Sequence, residues 1–356
     1  MVAATLATLT VGLPGCSGTD APTGTVRSQT TQRTATTTST VPTSGPASTA
    51  VLDPSTVAAR PSAGCGRESA SEVPAGETES AIDSGGETRT FYLRVPPAHD
   101  GKRPVPLVVD FHGFGEGARI HTAFSGMPDL GMADGFVTVT PQGSGASAFW
   151  NTFGLPRPDD VAFTSALLDD LGDTLCIDRA RTYASGMSNG AFMTSLLACR
   201  MSDRFAAVAP VAGAQDPVSC DPSRPVPVIA FHGTDDTYVR FRGGLGPGVR
   251  TLGVDPSISL PVLENRSVPE VLGLWANRNG CSRTPALERA HKDVVRMTWP
   301  GCRDGADVVL YVIEGGGHTW PGSAVSGAAK GMIGPTTMSI RADELIWDFF
   351  RAHPMR

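Results

Sequence analysis

Thr182–Gly190 reads T-Y-A-S-G-M-S-N-G and constrains the chain more than any other stretch. A short run of strand formers passes into G-x-S-x-G. Phe192, Leu196, Leu197 and Met201 then recur at helical spacing. A strand that turns into a helix over one serine has little room at the corner. Gly186 and Gly190 meet that need, because a side chain at either place would crowd the turn. Ser188 is then expected at a helix N-terminus, where free N–H groups and the helix dipole favour negative charge. The same string also fits a plain glycine-rich turn before a buried helix, so partners elsewhere in the chain have to decide.

Strands and helices alternate on both sides of this turn. Thr88–Val95, Val105–Phe111, Phe136–Thr140, Phe205–Val211, Val226–Phe231 and Val308–Ile313 read as strands. Asp159–Leu175, Val268–Ala276 and Ile340–Phe350 read as helices. Asp159–Leu175 opens on acidic residues that complement its dipole. Ile340–Phe350 puts Ala342, Leu345, Ile346, Phe349 and Phe350 on one face. No internal repeat is present. The alternation implies an α/β fold, a mostly parallel sheet with helices on both faces.

A serine is a weak nucleophile until a base takes its proton, and the usual base is a histidine oriented by a carboxylate. When the chain order is Ser, then Asp or Glu, then His, each after a strand, the pattern is that of an α/β-hydrolase. The strand Val226–Phe231 runs into His232-Gly233-Thr234-Asp235-Asp236, and here Asp235 and Asp236 are rivals for the acid. The strand Val308–Ile313 leads into Glu314-Gly315-Gly316-Gly317-His318, which makes His318 the candidate base. His291 sits in a charged stretch and His353 near the C-terminus, and neither is read as following a strand. Gly315, Gly316 and Gly317 should leave His318 loosely held. Oxyanion donors are expected from the backbone N–H groups of Asn189 and Phe114. His112 should shape the Phe114 turn by hydrogen bonding rather than act as a base.

The chain has 356 residues, is 40% hydrophobic and 18% charged, and carries a net charge of -6. No basic block occurs, so nucleic acid is not an expected partner. Val2–Leu13 is apolar but too short for a membrane-spanning helix and suits a secretion signal, although no Lys or Arg precedes it. Leu13-Pro14-Gly15-Cys16 resembles a bacterial lipobox, in which Cys16 would carry a lipid. Residues 17–64 are rich in Ser, Thr, Pro, Ala and Gly and are expected to form a disordered tether, with the catalytic domain over 65–356. The membrane would then be reached only through the N-terminal lipid.

Setting Cys16 aside leaves an even number of cysteines, which in an exported chain points to disulfides. Nearest-neighbour pairing gives Cys199–Cys220 and Cys281–Cys302, leaving Cys65 with Cys176. No CxxC or HExxH pattern calls for a metal, and the serine chemistry needs no cofactor. The sequence carries no signal for oligomeric state.

Taken together, these stretches resemble the polyhydroxybutyrate depolymerase-like esterase family, which includes secreted feruloyl esterases. The matching stretches start at Asp110 (D-F-H-G), Asp159 (D-D-V-A-F), Gly186 (G-M-S-N-G), Phe231 (F-H-G-T-x-D) and Gly315 (G-G-G-H-T-W-P-G). The ending I-W-D-F-F from Ile346 is similar too. The resemblance runs from about Cys65 to the end. It implies Ser188 as nucleophile, His318 as base and Asp236, rather than Asp235, as acid. It also implies an ester substrate: a small ester, an oligo-hydroxyalkanoate or a hydroxycinnamoyl ester. Feruloyl or acetyl-xylan esterase activity is the alternative within enzymes. A non-catalytic surface lipoprotein that binds a glycan or a host protein is the alternative outside them. Trp150, Tyr238 and Trp320, with Phe114, are candidates for an aromatic-accepting pocket.

Overall fold

The computed structural model of the protein describes residues 56–156, 158–254 and 266–356. Cys16 and the apolar segment before it lie outside the described residues, as does the tether as far as residue 55. The packed chain begins earlier than the Cys65 boundary. Ser62 N–H donates to Ile177 O at 2.9 Å, its hydroxyl donates to Leu175 O at 2.7 Å, and Arg60 N–H donates to an Asp178 carboxylate oxygen at 2.8 Å. The end of the tether therefore belongs to the domain, because its polar groups pair with the start of a central strand.

Among the described residues, ten strands form one sheet: β1 (Gly76–Ser84), β2 (Glu87–Val95), β3 (Val105–Phe111), β4 (Val137–Pro141), β5 (Ile177–Met187), β6 (Val208–Val211), β7 (Val228–Gly233), β8 (Ala286–His291), β9 (Val294–Trp299) and β10 (Val308–Ile313). Their spatial order is β1-β2-β4-β3-β5-β6-β7-β10-β9-β8. From β4 through β10 the neighbours run parallel, and antiparallel pairs close both edges. This is an α/β-hydrolase fold.

The central strands are apolar on both faces, as burial on both sides demands. In β3, Leu107, Val109 and Phe111 face one core while Val108 faces the other. In β10, Val308, Leu310 and Val312 alternate in the same way with Val309, Tyr311 and Ile313. Helices α4 (Asp160–Thr174), α5 (Asn189–Arg200) and α6 (Val268–Arg278) supply Phe163, Met193 and Trp275 to the first core. Helices α3 (Met127–Asp134) and α9 (Ala342–Ala352) supply Met127, Ile346 and Phe350 to the second. On α9, Trp347 is buried while Leu345 and Phe349 are only partly so, which turns the apolar face slightly from the expected one.

β1, β8 and β9 escape the sequence reading. β1 and β8 are the two edge strands and carry mostly exposed polar or small residues, so they lack the apolar alternation that marks a strand. β9, one place in from the edge, reads V-V-R-M-T-W, with buried ends and a half-buried middle that follows no period of two. His291 does end a strand, β8, but it is exposed there at the outer edge of the sheet.

At the N-terminus of α4 the two acidic residues part company. The Asp159 side chain accepts from Ala162 N–H and caps the helix. Asp160 turns inward, pairs with Arg89 at 2.8 Å and accepts Asn151 N–H at 2.7 Å. It ties the helix to strand β2 and to the loop that precedes the helix, as well as facing the dipole.

Disulfides join Cys65 to Cys176, Cys199 to Cys220 and Cys281 to Cys302. Such bonds persist outside the reducing cytoplasm, which points to an exported protein. No helix among the described residues is long and apolar enough to cross a membrane.

Candidate active site

Strand β5 ends at Met187 and helix α5 begins at Asn189, so Ser188 alone makes the corner. Its φ of 56° and ψ of -118° are costly for a side chain with a Cβ, and such strain persists only where the surroundings enforce it. They do. Ser188 N–H donates to Val211 O at 2.9 Å. A Cβ on Gly186 would lie 2.8 Å from Phe111 O, and one on Gly190 would lie 2.1 Å from the same oxygen. The glycines let β3 and the turn touch backbone to backbone. Ser188 makes no side-chain cap to α5, so its hydroxyl is not committed to the helix it starts.

The acid and the base meet beyond β7 and β10, at the same carboxyl edge of the parallel sheet. His318 Nδ1 donates to Asp236 Oδ2 at 2.8 Å, and both side chains are buried. The other carboxylate oxygen accepts the N–H groups of Tyr238 at 2.8 Å and Val239 at 3.0 Å. His232 Nε2 stands 3.3 Å from Oδ2. Burial pushes the Asp236 carboxyl up. The facing His318 and the donors from His232 and His318 outweigh burial and hold it well below the usual carboxylate range. Asp235 is exposed, and among the described residues its carboxylate is engaged only by the Thr234 hydroxyl, at 3.2 Å. The geometry thus pairs His318 with Asp236.

The glycine loop before His318 is not loose. Gly317 N–H donates to Pro335 O and His318 N–H to Ile333 O, each at 2.7 Å. A Cβ on Gly317 would lie 2.3 Å from Ile333 O, and one on Gly233 would lie 2.2 Å from Gly316 O. These glycines serve close packing against neighbouring backbone, and that packing restrains the loop.

The turn after β3 is pinned from several sides. His112 Nε2 accepts Gly143 N–H at 2.9 Å, so Nδ1 carries the proton and donates to Gly113 O at 2.7 Å. Burial pushes the His112 imidazolium down to about 4, which keeps the ring neutral for this task. Glu116 N–H also donates to Gly113 O, at 3.2 Å. A peptide is planar and trans, so fixing Gly113 C=O fixes the direction of Phe114 N–H. Phe114 N–H has no protein acceptor among the described residues. Asn189 N–H, in the first turn of α5, has no intrahelical one. The Asn189 side chain is bound on both sides to the Trp150 backbone, at 2.7 and 3.0 Å.

The aromatic pocket candidates lie elsewhere than expected. Trp150 and Trp320 are fully buried in the two opposite cores. Trp150 donates its indole N–H to His112 O at 2.9 Å. Neither tryptophan offers a surface to a ligand. Tyr238 is also buried, with its ring stacked on His318. Phe153, Phe192, Val239 and Leu245 form a separate apolar cluster, with Phe153 and Leu245 partly exposed. Phe192 N–H donates to Ser188 O, so the cluster stands one helical turn from the serine. The helical stripe that carries Phe192 reads as core, and Phe153 sits in a loop without periodicity, which hides the cluster in the sequence. Phe153 also borders a cleft of about 870 Å³ between α4 and α5, whose lining includes none of Ser188, Asp236 or His318.

No protein-family model matches the chain. "Probable feruloyl esterase C" of Aspergillus niger is 30% identical over 241 residues, 65% of this chain and 82% of that protein. The chain belongs to the feruloyl esterase and polyhydroxyalkanoate depolymerase-like family of α/β-hydrolases. Feruloyl esterase B of Piromyces equi is 28% identical over 238 residues, 65% of this esterase and 42% of its relative, so the match spans less than half of that longer protein. Poly(3-hydroxyalkanoate) depolymerase C of Paucimonas lemoignei is 29% identical over 248 residues, 63% of this esterase and 57% of that protein.

Proposed function

We propose that this carboxylic-ester hydrolase works through Ser188, His318 and Asp236 as a catalytic triad. The observation that carries the reading is the 2.8 Å contact of His318 Nδ1 with a buried Asp236 carboxylate. The contact leaves Nε2 as the basic nitrogen. Ser188 Oγ attacks the ester carbonyl and gives its proton to His318 Nε2. The tetrahedral oxyanion is held by Phe114 N–H and Asn189 N–H. The imidazolium returns its proton to the leaving alcohol, and the acyl-serine remains. Water then adds to the acyl group by the same sequence and releases the acid.

Hydroxycinnamoyl esters are the preferred substrate class in this reading. Support comes from the partly exposed Phe153 beside the serine helix, the half-buried Phe114 in the oxyanion turn, and the feruloyl esterases among the relatives. Oligo-hydroxyalkanoates are the second reading, favoured by the Paucimonas lemoignei relative. The enzyme acts outside the cell and, in this reading, is held at the membrane by a lipid on Cys16.

A fluorophosphonate probe followed by peptide mapping tests the chemistry. Labelling at Ser188, lost in Ser188→Ala, is expected. Absence of labelling would turn the reading to a binding lipoprotein. Methyl ferulate, p-nitrophenyl acetate and amorphous polyhydroxybutyrate, assayed side by side, separate the substrate classes.

A further inference from the structure

Three ionisable groups lie behind the oxyanion turn and take no part in the triad. Asp110, near the end of β3, and His121, on helix α2 (Ala118–Ser125), are fully buried. Glu116 lies between them in the chain, with its side chain 14% exposed. His121 Nε2 stands 3.3 Å from Asp110 Oδ1, and Nδ1 stands 3.1 Å from Glu116 Oε1. Each carboxylate has further partners, on both oxygens of Asp110 and on Oε2 of Glu116. Asp110 accepts the hydroxyls of Ser185 and Ser125, each at 2.6 Å. Glu116 Oε2 accepts Gly113 N–H at 2.7 Å.

The chain of contacts joins two parts of the site. Ser185 belongs to β5, in the approach to Ser188. Gly113 belongs to the oxyanion turn, and a Cβ placed on it would lie 3.5 Å from Ser188 Cβ. Glu116 holds Gly113 N–H through its carboxylate and Gly113 O through its own N–H. Both ends of that residue are set by one glutamate. We propose that Asp110, His121 and Glu116 form a buried charge chain that positions the oxyanion turn against the nucleophile, with Glu116 as the gripping residue.

The charges explain why the chain holds. Burial alone pulls the His121 imidazolium down, but the Asp110 and Glu116 carboxylates outweigh it and push it up to about 10. The cation in turn keeps both carboxyls below their ordinary values, so each remains an acceptor. Buried ion pairs are poor stabilisers compared with apolar packing. What this one supplies is direction. A charged acceptor fixes one N–H in one orientation more firmly than a neutral one does.

The inference rests on the triad reading, and the test separates the two. The full chain is assayed as wild type, Glu116→Ala, Glu116→Gln and Glu116→Asp, with p-nitrophenyl acetate as substrate. Phenylboronic acid serves as the tetrahedral probe. Glu116→Ala should lower kcat at least tenfold with KM within twofold, and weaken phenylboronate by a similar factor. Glu116→Gln should recover only part of kcat, because its amide oxygen can accept Gly113 N–H but carries no charge to face His121. Glu116→Asp keeps the charge but falls short of Gly113, so it should behave like Glu116→Ala; it decides the matter if the alanine variant does not fold. Wild-type kcat in folded Glu116→Ala or Glu116→Asp would overturn the proposal. So would a glutamine variant no better than alanine, or losses in kcat that track only the melting temperature. A wild type that hydrolyses no ester and takes no fluorophosphonate defeats the triad reading instead.

Discussion

The ring of Tyr238 lies on the imidazole of His318, with centroids 4.9 Å apart and planes 22° from parallel. The tyrosine hydroxyl is anchored 3.0 Å from Thr251 Oγ1, so the ring is held at both ends, since its own N–H donates to Asp236. An aromatic stack of this kind is worth up to about 1.5 kcal/mol, roughly a factor of ten in rate if it is needed to aim the ring. Tyr238→Ala should therefore lower kcat about tenfold. Tyr238→Phe keeps the stack and should stay within about twofold. Steady-state kinetics on p-nitrophenyl acetate measure both, and equal losses would place the effect in the hydroxyl rather than the stack.

Asp236 and Asp235 are neighbours with different surroundings. Asp236→Asn keeps the shape but loses the charge facing His318, and should lower kcat by several decades. Asp235→Asn changes an exposed carboxylate and should cost less than a factor of about two. Ser188→Ala and His318→Ala should each abolish most turnover, and their combination should add little, because triad members act as a unit. A larger loss in Asp235→Asn than in Asp236→Asn would reverse the assignment.

The two tight glycines predict different failures. Gly190→Ala drives a methyl group to 2.1 Å from Phe111 O, where only backbone can yield. A loss of stability on the order of 3 kcal/mol follows, read by urea unfolding. Gly317→Val meets Ile333 O at 2.3 Å and must displace the loop that carries His318. Turnover should fall in the valine variant even under conditions where it remains folded. Wild-type kinetics there would show that the loop can move without moving the base.

Two buried histidines should tilt stability in opposite directions with pH. His121 has its folded value raised from 6.5 to about 10, so its contribution is complete below pH 6.5 and is lost as pH rises toward 10. His112 has its folded value lowered from 6.5 to about 4, so the unfolded chain takes up the proton first and stability falls as pH drops from 6.5 to 4. Urea midpoints across this range should peak near the middle. His121→Gln should flatten the alkaline side and His112→Asn the acid side. Unchanged slopes in both variants would contradict these protonation states.

The sequence alone determined the α/β alternation, the strands Val105–Phe111 and Val308–Ile313 to the residue, and the serine turn with its two crowded glycines. These features are local: apolar alternation, turn chemistry and helical spacing are written between near neighbours in the chain. The choice between Asp235 and Asp236 was legible only by family resemblance, because the histidine that distinguishes them lies 82 positions beyond Asp236. Tertiary structure decided the rest. It buried Trp150 and Trp320 in opposite cores, since an aromatic after a turn can face either way until a sheet closes over it. It made Gly317, directly before His318, into a packing point rather than part of a loose hinge, because Ile333 and Gly334 arrive from a later segment. It also gathered Asp110, Glu116 and His121 behind the oxyanion turn, where excluding water lets two carboxylates hold one proton on an imidazole. No spacing along the chain announces such a cluster, since its energy comes from the burial that folding creates.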